Sequence, residues 1–154
     1  ATRMGLVDQE KHDILEAGYL AELGKTIVPE NILNRNGGLT EDDFTHIHMH
    51  PREGVRKLRN AGYENERMLE LIECHHENYD GSGYPAGIKG ENIPLGARIL
   101  AVAEAYISLT SRRSYRDPWD GNAAFNEIGK YVRSGKFDPE VVDVLGQIIN
   151  DTPA

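Results

Sequence analysis

Three observations predict an all-α domain. Apolar residues recur at helical spacing in successive blocks, no long stretch alternates in the two-residue rhythm of a half-buried strand, and capping or breaking residues punctuate the blocks. With 154 residues, the chain is long enough for one substantial core and too short for two ordinary domains, so residues 1–154 are read as one compact unit.

The first helix is expected from about Asp8 to Leu23, with Ile14, Leu15, Tyr19, Leu20 and Leu23 inward and Gly24 as a left-handed cap. TIVPENIL then supplies a short helical turn in which Pro29 takes the first position, where a missing N–H costs nothing. NGG at 36–38 is a turn, and Thr40 can cap the next helix with Asp43 favouring the same terminus. That helix ends near HIHMHP because Pro51 disfavours helical backbone at His50. Helices follow from Pro51 to about Asn60 and from Asn65 to Glu77, the latter with Met68, Leu69, Leu71 and Ile72 in the core. The segment from Asn78 to Gly96, rich in glycine and carrying Pro85 and Pro94, is a long loop, and long ordered loops in compact domains usually serve function. ARILAVAEAYISLTS is nearly all apolar and reads as a buried helix. A helix over about 121–132 and one opened by Asp138 and Pro139 close the chain.

The formal net charge of -8 argues against nucleic acid or an anionic membrane as a partner, since polyanions are held by clustered Lys and Arg. No apolar run approaches the roughly 18–20 residues that span a bilayer, so no direct membrane contact is expected. Cys74 stands alone, which excludes an intrachain disulfide and suits a reducing cytosol; the expected localisation is cytoplasmic.

The chemistry lies in ECHHENYDGSGYP at 73–85 and in the histidines at 12, 46, 48, 50, 75 and 76. Neighbours on a helix diverge by about 100°, so His75 and His76 can serve one metal only if the helix breaks there. Read from the residues alone, one of them caps a helix end while the other faces water, His46 and His48 are solvent-facing or satisfied in the core, and only His50, fixed before Pro51, looks placed. Arg112, Arg113 and Arg116 alone read as a solvated turn balanced by Asp117 and Asp120.

The order of His50, His75-His76, DGSGYP, Glu104 and LTSRRSYR resembles the HD-GYP family of bacterial signalling domains, and HHENYDGSGYPAGIKGENIPLGARILAVAEAY follows the family pattern nearly position by position. FDPEVVDVL resembles its closing helix. The resemblance implies an HD-superfamily helical bundle with a long glycine-rich GYP loop, forming part of a longer signalling protein. It also implies metal-dependent hydrolysis of cyclic di-GMP, with iron or manganese as the metal. By the same resemblance His50, His75 and His76 fall at metal-ligand positions, Tyr84 in the loop shaping the nucleotide pocket, and Arg113 and Arg116 where cations face phosphate, a task suited to guanidinium forks.

The chain departs from the family at its eponymous pair. A stretch like LLHDIGK is here YLAELGK at 19–25, so the pair has become Ala21-Glu22. Alanine donates no lone pair, and Glu22 reaches further than aspartate by one methylene, about 1.5 Å, so it can bind a metal without making the same bridge. His12-Asp13 precedes the motif position and reads as a surface decoy. Glu104 replaces a ligand aspartate and Ile107 a later one; a carboxylate in so apolar a helix must lie near a cation, be protonated, or pair with a group such as Lys25. Lys25 keeps the family's lysine position, where it can face phosphate as a weak catalytic candidate. An upstream helix that supplies a further family histidine has no counterpart before Asp8, so the chain reads either as excised from a longer protein or as a fold that begins late.

The adopted reading is a cyclic di-GMP signalling domain with inactive or impaired chemistry and a site that can be metal-free. It acts through protein contact at the Gly83-Tyr84-Pro85 loop, for instance with a diguanylate cyclase domain, or as a cyclic di-GMP receptor. The alternative is an active phosphodiesterase with a rearranged site of His50, His75, His76, Glu22 and Glu104.

Overall fold

The computed structural model describes residues 1–33, 35, 37–112 and 116–151. Asn36, which opens the expected NGG turn, and the candidate phosphate ligand Arg113 lie outside the described residues. The helices are α1 (Asp8–Leu20), α2 (Glu30–Leu33), α3 (Glu41–His48), α4 (His50–Asn60), α5 (Glu66–Cys74), α6 (Leu95–Thr110), α7 (Gly121–Arg133) and α8 (Pro139–Asp151). Tighter 3-10 segments cover Thr2–Met4, Ala21–Ile27 and Gly90–Asn92. No β-strand forms among the described residues, and no helix there is long and apolar enough to cross a membrane.

Two clusters of buried side chains share α6 as a common wall. Ala17, Val55, Leu58, Met68, Leu69, Leu71 and Ile72 join α1, α4 and α5 to the start of α6 at Ala97. Val102, Ile128, Phe137, Val141 and Val142 join its later turns to α7 and α8. Complete burial of side chains such as Met68, Leu69 and Ile72 contributes roughly 1.5–3 kcal/mol each.

The helix starts follow their caps. Thr40 Oγ1 accepts from Asp43 N at 3.2 Å while Thr40 N donates to Asp43 Oδ2 at 2.8 Å, a reciprocal box rather than a charge effect alone. Asp138 Oδ1 accepts from Glu140 N at 2.8 Å at the start of α8. Asn65 Oδ1 accepts from Met68 N at 3.2 Å, and its amide donates to Asp13 Oδ1 at 2.9 Å.

Several expectations are corrected. Asp13 is buried, not a surface decoy: Gln9 Nε2 and Asn65 Nδ2 each donate to it at 2.9 Å, while its neighbour His12 is exposed. Leu15 and Tyr19 are 61% and 81% exposed, because the face of α1 that meets α6 is built from Ala17 and Gly18; a Cβ on Gly18 would lie 3.2 Å from Leu100. Helix α1 gives way to 3-10 winding at Ala21, and Gly24 is no left-handed cap: a Cβ there would strike the His50 carbonyl oxygen and lie 2.8 Å from Gly54 N. Gly24 is required for a close backbone crossing. Helix α5 stops at Cys74 rather than Glu77. Helix α6 is only partly buried: Gly96, Ala97 and Val102 are enclosed, the face carrying Ala101, Glu104 and Ser108 borders an open cleft, and Ile107 is 60% exposed.

Candidate metal centre and nucleotide cleft

The early end of α5 resolves the geometry of the paired histidines. His75 and His76 occupy the turn after the last helical residue, and their rings meet at 4.0 Å between centroids, tilted by 40°. The 100° divergence of neighbours on a helix no longer applies. His50 enters from the first turn of α4, and the crossing at Gly24 brings Glu22 against it. Glu22, His50, His75 and His76 each offer a ligand atom within 4.8 Å of all the others.

The donor set fits a metal cation. His50 Nδ1 lies 2.7 Å from the Ile47 carbonyl and His75 Nδ1 lies 2.6 Å from the Ile72 carbonyl. A carbonyl only accepts, so each neutral ring must carry its proton on Nδ1, which leaves a bare lone pair on Nε2. Those two Nε2 atoms face each other at 3.5 Å, and Glu22 Oε1 stands 3.5 Å from one and 3.8 Å from the other. Three acceptors thus converge with no proton to share among them. Carbonyls that fix the tautomer of a ligating imidazole are the usual outer support of a metal site.

Protonation follows the same geometry. Burial, then the neighbouring rings and Lys25, push His76 down to about 2, and burial also lowers His50. Burial opposes the charge on Glu22, but the Lys25 ammonium in contact with it prevails and holds its carboxyl well below the ordinary carboxylate range. Burial raises the Cys74 thiol to about 12, with the charges of Glu70, Glu73 and Glu77 adding to it, so the thiol is inert.

Beside this cluster runs a cleft of about 520 Å³ walled by α3, α6 and the glycine-rich loop. The loop is held shut at its base. Tyr84 N donates to the His76 carbonyl at 3.2 Å, and Glu77 Oε1 accepts from Ala86 N and Gly87 N at 2.7 and 3.1 Å. A Cβ on Gly83 would lie 2.5 Å from the His76 carbonyl oxygen, so only glycine allows this closure. Tyr84 is half-buried and faces the cleft, and burial raises its phenol above the ordinary range. Its ring is packed between His48, stacked at 3.9 Å and 18°, and His76 at 4.9 Å.

Other candidates are not brought into the cluster. Glu104 lines the cleft but is exposed, contrary to the expected buried carboxylate, because it sits on the open face of α6. Lys25 pairs with Glu22 and not with Glu104. Arg116 donates through Nη2 to the Ser108 carbonyl at 2.8 Å at the end of α6 and lies 5.5 Å over the Trp119 ring. Sequence reasoning missed three residues of the site: Glu77, Lys136, which lines the cleft, and His48. The signal for His48 was its i,i+4 spacing from Phe44 on α3, which places both on one face.

Comparison with known proteins decides the family. The HD domain family matches residues 1–141. The chain belongs to the HD domain family. It is 41% identical over 147 residues to the cyclic di-GMP phosphodiesterase response regulator RpfG of Xanthomonas campestris pv. campestris, covering 94% of this chain and 38% of that protein. It is 33% identical over 143 residues to the 3'3'-cGAMP-specific phosphodiesterase 2 of Vibrio cholerae, covering 92% of this chain and 27% of that protein. The solved HDG"Y"P protein Bd1817 from Bdellovibrio bacteriovorus shares the fold with a TM-score of 0.74 at 20% identity, over 97% of this chain and 47% of that one. The HD-GYP resemblance and the all-α bundle are borne out. The chain spans less than half the length of these relatives.

Proposed function

We propose that this HD domain is a cyclic di-GMP signalling module that binds one divalent cation with Glu22, His50, His75 and His76, holds the cyclic dinucleotide in the adjoining cleft, and hydrolyses it poorly or not at all. The single observation that carries the reading is the convergence of two carbonyl-fixed imidazoles and a carboxylate beside an open cleft. A cation there would supply positive charge to a phosphate and acidify a water. The chain's own residues bind and orient: Glu77 closes the loop, Tyr84 walls the cleft, and Lys136 lies along the lining with its Nζ over the Tyr131 and Phe137 rings. Impairment is inferred from Ala21, which is buried and offers no ligand, and from Glu104, which lies outside the four-residue cluster. Effective hydrolysis depends on close placement of a complete ligand set.

Protein contact through Gly83-Tyr84-Pro85 has less support, since the Tyr84 ring is packed into the cleft between two imidazoles. The test is elemental analysis of protein purified under reducing, low-oxygen conditions, joined to calorimetry with cyclic di-GMP and an assay for linear product with added manganese or iron. The expected result is at most one metal per chain, nucleotide binding, and no accumulation of product. Two metals per chain would refute the single-cation reading, and turnover abolished by His75→Ala would establish the phosphodiesterase reading instead.

A further inference from the structure

The aromatic surface offered to a ligand is not the one the loop motif suggests. The Tyr84 ring already packs against two imidazoles, His76 at 4.9 Å and 34° and His48 stacked at 3.9 Å and 18°. A planar group stacking on Tyr84 competes with these rings, and His76 belongs to the four-residue cluster. His48 ends this row. It is exposed, lines the cleft, and has one face against Tyr84. Phe44, one helical turn earlier on α3 and 46% exposed, leans toward it at 5.9 Å and 47°. The two rings stand at 47° to each other and both line the cleft, and the row His76, Tyr84, His48, Phe44 starts at a member of the four-residue cluster and ends on α3.

We propose that His48 is the stacking ledge for a purine ring of the ligand, with Phe44 as its side wall, so that a phosphate at the cluster and a base on α3 are read together. This rests on the cyclic dinucleotide reading of the cleft. An imidazole face stacks on purines of either kind, and base stacking on ring side chains tolerates sequence. The ledge therefore accepts a purine without choosing guanine over adenine.

The test is calorimetry on the whole domain with three probes: cyclic di-GMP, GMP and manganese alone. The variants are His48→Ala and His48→Phe. His48→Ala should weaken both purine probes by about five- to hundredfold, the range of one base–ring stack. Manganese affinity should hold, and His48→Phe should keep purine affinity within about threefold of the parent, because the ring is what matters. If the parent binds purines and His48→Ala binds them equally well, the ledge is wrong and the cleft reading stands. If His48→Phe fails as badly as His48→Ala, stacking is refuted. Loss of manganese in His48→Ala would also overturn the proposal, because the change would then act through collapse of the cluster. Binding of GMP without cyclic di-GMP, lost in His48→Ala, would support the ledge and refute the cyclic dinucleotide. If neither purine binds at millimolar concentration, both fall.

Discussion

The two sides of the candidate centre are built to different standards. On the side of α4 and α5, His50 and His75 are buried, each with Nδ1 on the carbonyl three residues earlier, Ile47 at the end of α3 and Ile72 in α5, and Nε2 aimed at the other. On the side of the Ala21–Ile27 segment and α6, Ala21 brings no ligand, Glu22 is half exposed and tied to Lys25, and Glu104 stands in the open cleft. Side chains fixed by burial and by a hydrogen bond to a backbone carbonyl hold their place without a cation, whereas an exposed carboxylate on a flexible stem does not. The difference teaches that a site can keep the affinity of its rigid half while losing the placement that chemistry demands.

The two sides meet at Gly24, and the largest effect should come from breaking that crossing. Gly24→Ala puts a methyl onto the His50 carbonyl and 2.8 Å from Gly54 N, both backbone atoms that cannot swing aside. Overpacking of this kind costs roughly 1–3 kcal/mol and occasionally more. Thermal unfolding should show a drop in Tm of several degrees together with loss of metal. An unchanged Tm would mean that the segments do not cross here.

Next comes the asymmetry itself. His75→Ala should abolish stoichiometric metal, since it removes a pinned ligand, while Glu22→Gln should weaken metal by about one order of magnitude, the scale of a partly engaged group. Titration with manganese monitored by calorimetry reads both. Equal losses would erase the distinction between the sides. The triple change Ala21→His, Glu22→Asp and Glu104→Asp should sharpen it from the opposite direction, raising the metal bound per chain toward two by elemental analysis. Each change alone should do less, because ligands act as a set.

How much of this could be read beforehand follows from the range of the interactions. Helix limits such as α3, α4 and α7 were legible within a residue or two, at the first two because Thr40 and Pro51 act locally. His50, His75, His76 and Glu22 were legible through the motif order, and the structure brings these four together. Burial of Asp13 and exposure of Leu15 were not, since they depend on which face of α1 the small residues turn toward α6, a fact of packing absent from helical spacing alone. The stack of His48 on Tyr84 joins residues thirty-six positions apart, beyond any local pattern.

A smaller effect is expected from pH. Burial lowers His50 and His76, so the metal-free fold holds these rings neutral, while the unfolded chain takes up protons near the ordinary value of about 6.5. The unfolded state therefore binds more protons below that value, and stability is fully present above it and lost as pH falls. Glu22, held well below its ordinary 4.5, adds a second loss below that value. Tm of metal-free protein should fall between about pH 7.5 and about pH 5.5, and the fall should shrink in His76→Gln. A flat profile would show that the fold does not hold the His50 and His76 rings neutral.

The smallest effect should come from Glu104, and it tests the weaker side most directly. Its carboxylate is exposed, lies outside the four-atom cluster, and touches the centre only through its charge, which helps raise the Tyr84 phenol. An exposed charge at such a distance is screened by water and salt. Glu104→Gln should therefore change affinity for a single manganese by less than about twofold, and raising the ionic strength should shrink even that. A loss of tenfold or more would mean that Glu104 swings in to complete the set once a cation arrives. The cleft side would then be mobile rather than decayed, and the case for impaired hydrolysis would rest on Ala21 alone.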